Sequence, residues 1–159
     1  MSDWLDNVAQ REARQIESEQ LAKRNAETVS AQMSGLWRTF RNDFVAEINR
    51  YRAIVPLRTI HHDDSNFSEL AAHTQGSFPA VALRVSCCGP EGAPQFDYAY
   101  TVAKNHDVTP KQHHGRLIVY ANGNDVFIKT PEGQEFPTTK DAAGYLLDKF
   151  DLYARGQKE

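Results

Sequence analysis

Across 159 residues no apolar run approaches the length that crosses a bilayer. The N-terminus carries no apolar core of a signal peptide, and Ser2, Asp3 and Asp6 are the wrong flank for one. These absences predict a cytoplasmic protein with no membrane partner. Cysteine is scarce, with only the adjacent pair Cys87 and Cys88. Neighbouring strand residues point to opposite faces, so a disulfide between them needs a distorted backbone, and a reduced pair at a strand end is the expectation. A redox or metal site built on thiols would need a further cysteine, and the chain has none.

Catalytic signatures are missing too. There is no Gly-x-Ser-x-Gly elbow, no His-Glu-x-x-His, and no glycine-rich phosphate loop between a strand and a helix. These absences lean toward a non-catalytic interaction or assembly module with no cofactor, against the alternative of a small ligand-binding or catalytic domain with a pocket between helix and sheet. Charge is not strongly biased: a net charge of -3 gives nucleic acid no global attraction. With 40% hydrophobic and 25% charged residues, the composition is that of an ordinary globular domain carrying an appendage. Internal repeats and low-complexity tracts are absent.

What is present has clear periodicity. Residues 1–21 are polar and charge-dense, with Trp4, Leu5, Val8 and Ile16 as large hydrophobes in no continuous stripe. They read as a mobile arm or a marginal helix, because a helix without a packed face is weak. From Ala22 the pattern changes. Ala22, Ala26, Val29, Met33, Leu36, Trp37, Phe40, Phe44, Ile48, Tyr51 and Val55 recur at steps of mostly three and four, the stripe of a core-facing helix. Pro56 predicts its end near Val55. Residues 22–159 are thus expected to form a single domain.

Leu57–Ile60 predicts a short strand and Phe67–Ala72 one helical turn, with a loop at Thr74–Ser77. Val81, Leu83, Val85 and Cys87 alternate with polar or small residues, as do Phe96, Tyr98, Tyr100 and Val102, giving two half-buried strands joined by a turn around Gly89–Pro94. Leu117–Tyr120 and Val126–Lys129 flank Asn122-Gly123, which suits a tight hairpin. A brief extended piece at Gln134–Phe136 precedes a short helix, capped by Thr138 and ended by Gly156, whose apolar face is Ala142, Ala143, Leu146, Leu147, Phe150 and Tyr153. The predicted fold is α+β: a long N-terminal amphipathic helix, an antiparallel meander of four to five strands, and a short C-terminal helix.

Three candidate sites follow. Val29, Met33 and Leu36 continue the helical stripe beyond the reach of a small sheet, so they are expected to bury against a second copy, with a homodimer or another protein as partner. Phe40, Phe44, Glu47 and Tyr51 would line a pocket between helix and sheet, with Glu47 an unusual carboxylate inside the stripe. The plainer reading has Glu47 reaching out toward Arg50 or Arg84. All six histidines fall between Pro56 and Gly115, and His106, Asp107, His113 and His114 are weak candidates for metal ligands in one loop, set against a solvated polar loop with no metal. Arg38, Arg41, Arg50, Arg52 and Arg58 enrich the end of the long helix and its exit in positive charge. A solvated face is favoured over nucleic-acid binding, because the aromatics there belong to the core stripe.

Overall fold

The computed structural model describes residues 3–89 and 93–157. Helix α1 spans Asp3–Ile54 without interruption. Neither glycine nor proline occurs before Gly35, so nothing in the first half of the helix breaks its hydrogen-bond ladder. Seven strands follow, β1 (Thr59–Asp63), β2 (Glu69–Gln75), β3 (Ala80–Gly89), β4 (Ala93–Ala103), β5 (Lys111–Asn122), β6 (Asp125–Lys129) and β7 (Glu135–Phe136), and then helix α2 (Thr139–Ala154). Each strand pairs antiparallel with its sequence neighbours, in the order β1 to β7. No helix among the described residues is long and apolar enough to cross a membrane.

Both helices pack on one face of this sheet. Val81, Leu83 and Val85 of β3, Phe96 and Tyr100 of β4, and Leu117 and Val119 of β5 are buried there against Trp37, Phe40, Phe44 and Ile48 of α1 and Leu146 and Phe150 of α2. Their alternation along each strand is what places them on a common side. Thr138 caps α2, its hydroxyl accepting from the amide of Asp141 at 3.2 Å, and Gly156 takes the positive φ of 76° that closes the helix end.

The predicted α+β fold with an antiparallel meander is the one observed, but the sheet has seven strands rather than four or five. Most of the difference lies in residues 57–76. The first strand begins at Thr59, and the expected helical turn at Phe67–Ala72 is instead the start of β2. Leu70, Ala72 and Thr74 alternate inward and β2 pairs on both sides, with β1 and β3, so strand pairing and burial outweigh a single helical turn. The α1 side chains fix the entry to β2. Trp37 Nε1 donates to the Phe67 carbonyl at 2.6 Å, and the Arg41 guanidinium donates to the carbonyls of Asp64, Asn66, Phe67 and Glu69.

The cysteines also depart from expectation. Cys87 and Cys88 are joined as a vicinal disulfide, not left as free thiols. The backbone distortion such a bond requires is present: β3 slips register against β4 between Cys87 and Gly89, and Cys88 takes a φ of 63°. Pro90, Glu91 and Gly92 of the expected turn lie outside the described residues.

Candidate interaction surface and a polar-ended cavity

The stem of α1 enters the core at Val29; before it, residues 3–24 are all exposed. At 1.5 Å per residue, residues 3–28 project about 39 Å beyond the body. Trp4 is 67% exposed, Leu21 53% and Leu5 50%, with Val8 and Ile16 only slightly more covered. With a 100° step per residue, Trp4, Val8, Gln15, Ala22 and Ala26 point the same way as Val29, Met33 and Phe40. The core-facing stripe therefore continues along the projection, apolar at both ends and polar in the middle.

Val29, Met33 and Leu36 are not where the overhang lies. Val29 is buried, and Met33 and Leu36 are half-buried against the protein's own core, so much of the surface expected to meet a second copy is covered within the chain. The sheet is longer than a typical one: β4 has 11 residues and β5 has 12, or about 37–41 Å at 3.4 Å per residue. The β5–β6 hairpin reaches the helix at Gln32, whose Nε2 donates to the Asn124 carbonyl at 2.6 Å. The uncovered segment begins N-terminal to these residues.

The expected pocket residues are mostly core. Phe40 and Phe44 are fully buried and pack on each other and, through Phe40, on Phe96. Glu47 reaches the stripe's edge, where it pairs with Arg50 at 2.8 Å and lies 3.8 Å from Lys140; Arg84 pairs with Glu69 instead. Tyr51 closes the seam between the helices, its hydroxyl donating to Asp151 Oδ1 at 2.8 Å. Four of the five arginines in the basic stretch are held within the chain. Besides Arg41 and Arg50, Arg52 donates to the Ile60 carbonyl and Arg58 pairs with Asp151.

The histidine-bearing end of the sheet is opposite the Asn122–Gly123 turn, as the meander order predicts. His113 and His114 are not in the loop with His106 and Asp107, however; they are strand residues of β5, which begins six residues earlier than its apolar run. Adjacent on a strand, they face opposite sides. His113 stacks on Tyr153 (5.0 Å, 21°), His114 meets Gln112, and His106 lies against Phe78. Among the described residues no group of three or more His, Cys, Asp or Glu side chains is placed to hold a metal ion.

A different feature occupies that end. A cavity of about 520 Å³ opens between the β4–β5 hairpin and the end of α2, walled by Pro79, Val102, Val108, Thr109, Tyr153 and Gly156, with Lys104, Lys111, His113 and Gln157 also lining it. Cross-strand pairing sets Lys111 opposite Val102 and His113 opposite Tyr100, so both occupy inward positions of the same face as Leu117 and Val119. Gly115, between them, has no side chain because the Tyr98 ring fills that space; a Cβ there would lie 2.3 Å from it. The signal for this site was alternation continued backward from Leu117 through Gly115 and His113 to Lys111, a strand whose polar start made it read as loop.

No family model matches the chain, and no curated protein or solved structure matches it either.

Proposed function

We propose that this chain is a non-catalytic assembly module that self-associates by antiparallel pairing of its projecting half-helices. The observation that carries this reading is that residues 3–24 are all exposed, with Trp4 and Val8 at one end and Ala22 and Ala26 at the other continuing the direction of the core stripe around a polar middle. Burying that face removes apolar surface from water at roughly 25 cal/mol per Å². The antiparallel sense follows from size and charge. Centred near Gln15, it sets Trp4 and Val8 of one copy over the small Ala26 and Ala22 of the other, and Arg11 opposite Glu19. The length fits as well, since the partner's first turn arrives at Ala26, the last turn before Val29 enters the core. A parallel pair would instead stack Trp4 on Trp4 and Glu19 on Glu19.

Light scattering across a concentration series is expected to give the mass of a dimer for the full chain and of a monomer for Val8→Asp. Val8→Cys mixed with Ala22→Cys should cross-link between copies on mild oxidation, with the bridged peptides identified by mass, whereas Val8→Cys alone should not. Self-cross-linking of Val8→Cys alone would make the pair parallel. A full chain that stays monomeric at several hundred micromolar would overturn the assembly reading.

A further inference from the structure

We infer that the cavity at the histidine-bearing end of the sheet binds a small organic anion with an aromatic body. Its volume, about 520 Å³, is in the range of small-molecule sites. The walls from Pro79, Val102, Val108 and Tyr153 are apolar or aromatic, and the stacked rings of His113 and Tyr153 present a flat surface. Among the described residues, its charged lining is Lys104 and Lys111, with no Asp or Glu, and neither lysine forms a salt bridge with a described residue.

Placement argues the same way. Lys111 and His113 sit at inward positions of an otherwise mostly apolar face, beside Tyr100, Val102, Leu117 and Val119. A packed sheet end would carry apolar residues there, as β3 does at Val81 beside the same end. A cation at the mouth of an apolar cavity instead recognises an acidic head whose body enters the walls, because a charge-assisted hydrogen bond gains strength where water is partly excluded. The site lies at the end of the body opposite the projecting helix, so it stands or falls independently of assembly.

The probe is 8-anilinonaphthalene-1-sulfonate, an aromatic anion, compared with the uncharged N-phenyl-1-naphthylamine. The full chain should bind the sulfonate with one site per chain, and more tightly than the neutral compound. The double variant Lys104→Gln/Lys111→Gln should weaken sulfonate binding about tenfold or more and leave the neutral probe unchanged, since each charged contact contributes on the order of a factor of ten. Val108→Asp changes a residue that is 44% exposed and so leaves the fold intact, and it should expel both probes. Val8→Asp, at the far end, should alter neither. Sulfonate affinity unchanged in the lysine double variant, equal affinity for the neutral probe, or binding that survives Val108→Asp would each overturn the inference.

Discussion

The two halves of α1 share one backbone and similar helix-forming residues, yet they are held by different forces. In the embedded half, Trp37, Phe40, Phe44 and Ile48 are buried, and its polar groups reach across the fold: Trp37 to Phe67, Arg41 to the β1–β2 connection, Tyr51 to Asp151. In the projecting half, the side-chain bonds stay within the helix, from Arg11 to Asn7, Gln15 to Glu19 and Thr28 to Arg24. Such pairs contribute a few tenths of a kcal/mol each. One half is helical because it is packed; the other is helical because it grows from a packed stem and contains no residue that stops it.

Proline tests that difference with the largest effect. Val45→Pro would remove an interior hydrogen bond next to Phe44, at a cost of about 3 kcal/mol or more, and would displace the aromatic stripe. The expected result is a chain that no longer unfolds cooperatively in urea. Ala13→Pro carries a similar local cost, but it falls on the projection alone. At protein concentrations too low for assembly to add stability, its urea midpoint should match wild type while its far-ultraviolet helical signal drops. A midpoint shifted as far as that of Val45→Pro would show that the projection and the body unfold as one unit.

Truncation of single side chains sharpens the same contrast. Phe40→Ala empties a fully buried site shared with Trp37, Phe44 and Phe96, so about 3–5 kcal/mol of stability should be lost. Ile16→Ala, at a residue that is 45% exposed, should stay within about 0.5 kcal/mol. Denaturant titration of both monomers measures this, and a loss above about 1.5 kcal/mol for Ile16→Ala would mean that the projection folds back on its own body.

Legibility in the sequence followed the same line. The embedded half of α1, the strands around Val81–Cys87 and Phe96–Val102, the Asn122-Gly123 turn and helix α2 were all readable, because each couples a strong period to burial on one face. Residues 57–76 were not, since Leu70, Ala72 and Thr74 are too few and too small to announce a strand without β3 beside them. The start of β5 was hidden for the opposite reason: Lys111 and His113 occupy inward positions, where alternation is expected to be apolar. The stripe at Val29–Leu36 is apolar as its period predicts, but the chain's own body covers more of it than a typical strand length implies, because β4 and β5 are long.

The smallest expected effect within the embedded half lies at its end, where Tyr51 meets α2. Its hydroxyl donates to Asp151 Oδ1, while Arg58 Nη1 lies 3.2 Å from both oxygens. Burial, reinforced by the bond to Asp151, pushes the Tyr51 phenol up to about 12 from its ordinary 10.0. Burial also opposes ionisation of Asp151, but hydrogen bonds from Arg155 and Tyr51 and the charges of Arg155 and Arg58 outweigh it and hold the carboxyl below its ordinary range. The signs then differ. A phenol whose folded pKa is raised contributes stability that is complete below pH 10 and lost as pH rises from 10 toward 12. A carboxyl whose folded pKa is lowered contributes stability present above its ordinary value and lost as pH falls through it. Stability should thus be level near neutrality and decline on both flanks. Tyr51→Phe removes the partly buried hydrogen bond to Asp151 and the longer one from Arg58, for about 1 kcal/mol at pH 7, and it also removes this residue's share of the alkaline decline. Some decline should persist in the variant, because burial raises Tyr98 as well. Urea unfolding at pH 7, 10 and 11 checks both effects. An alkaline slope identical in wild type and Tyr51→Phe would show that the phenol is not held by this seam.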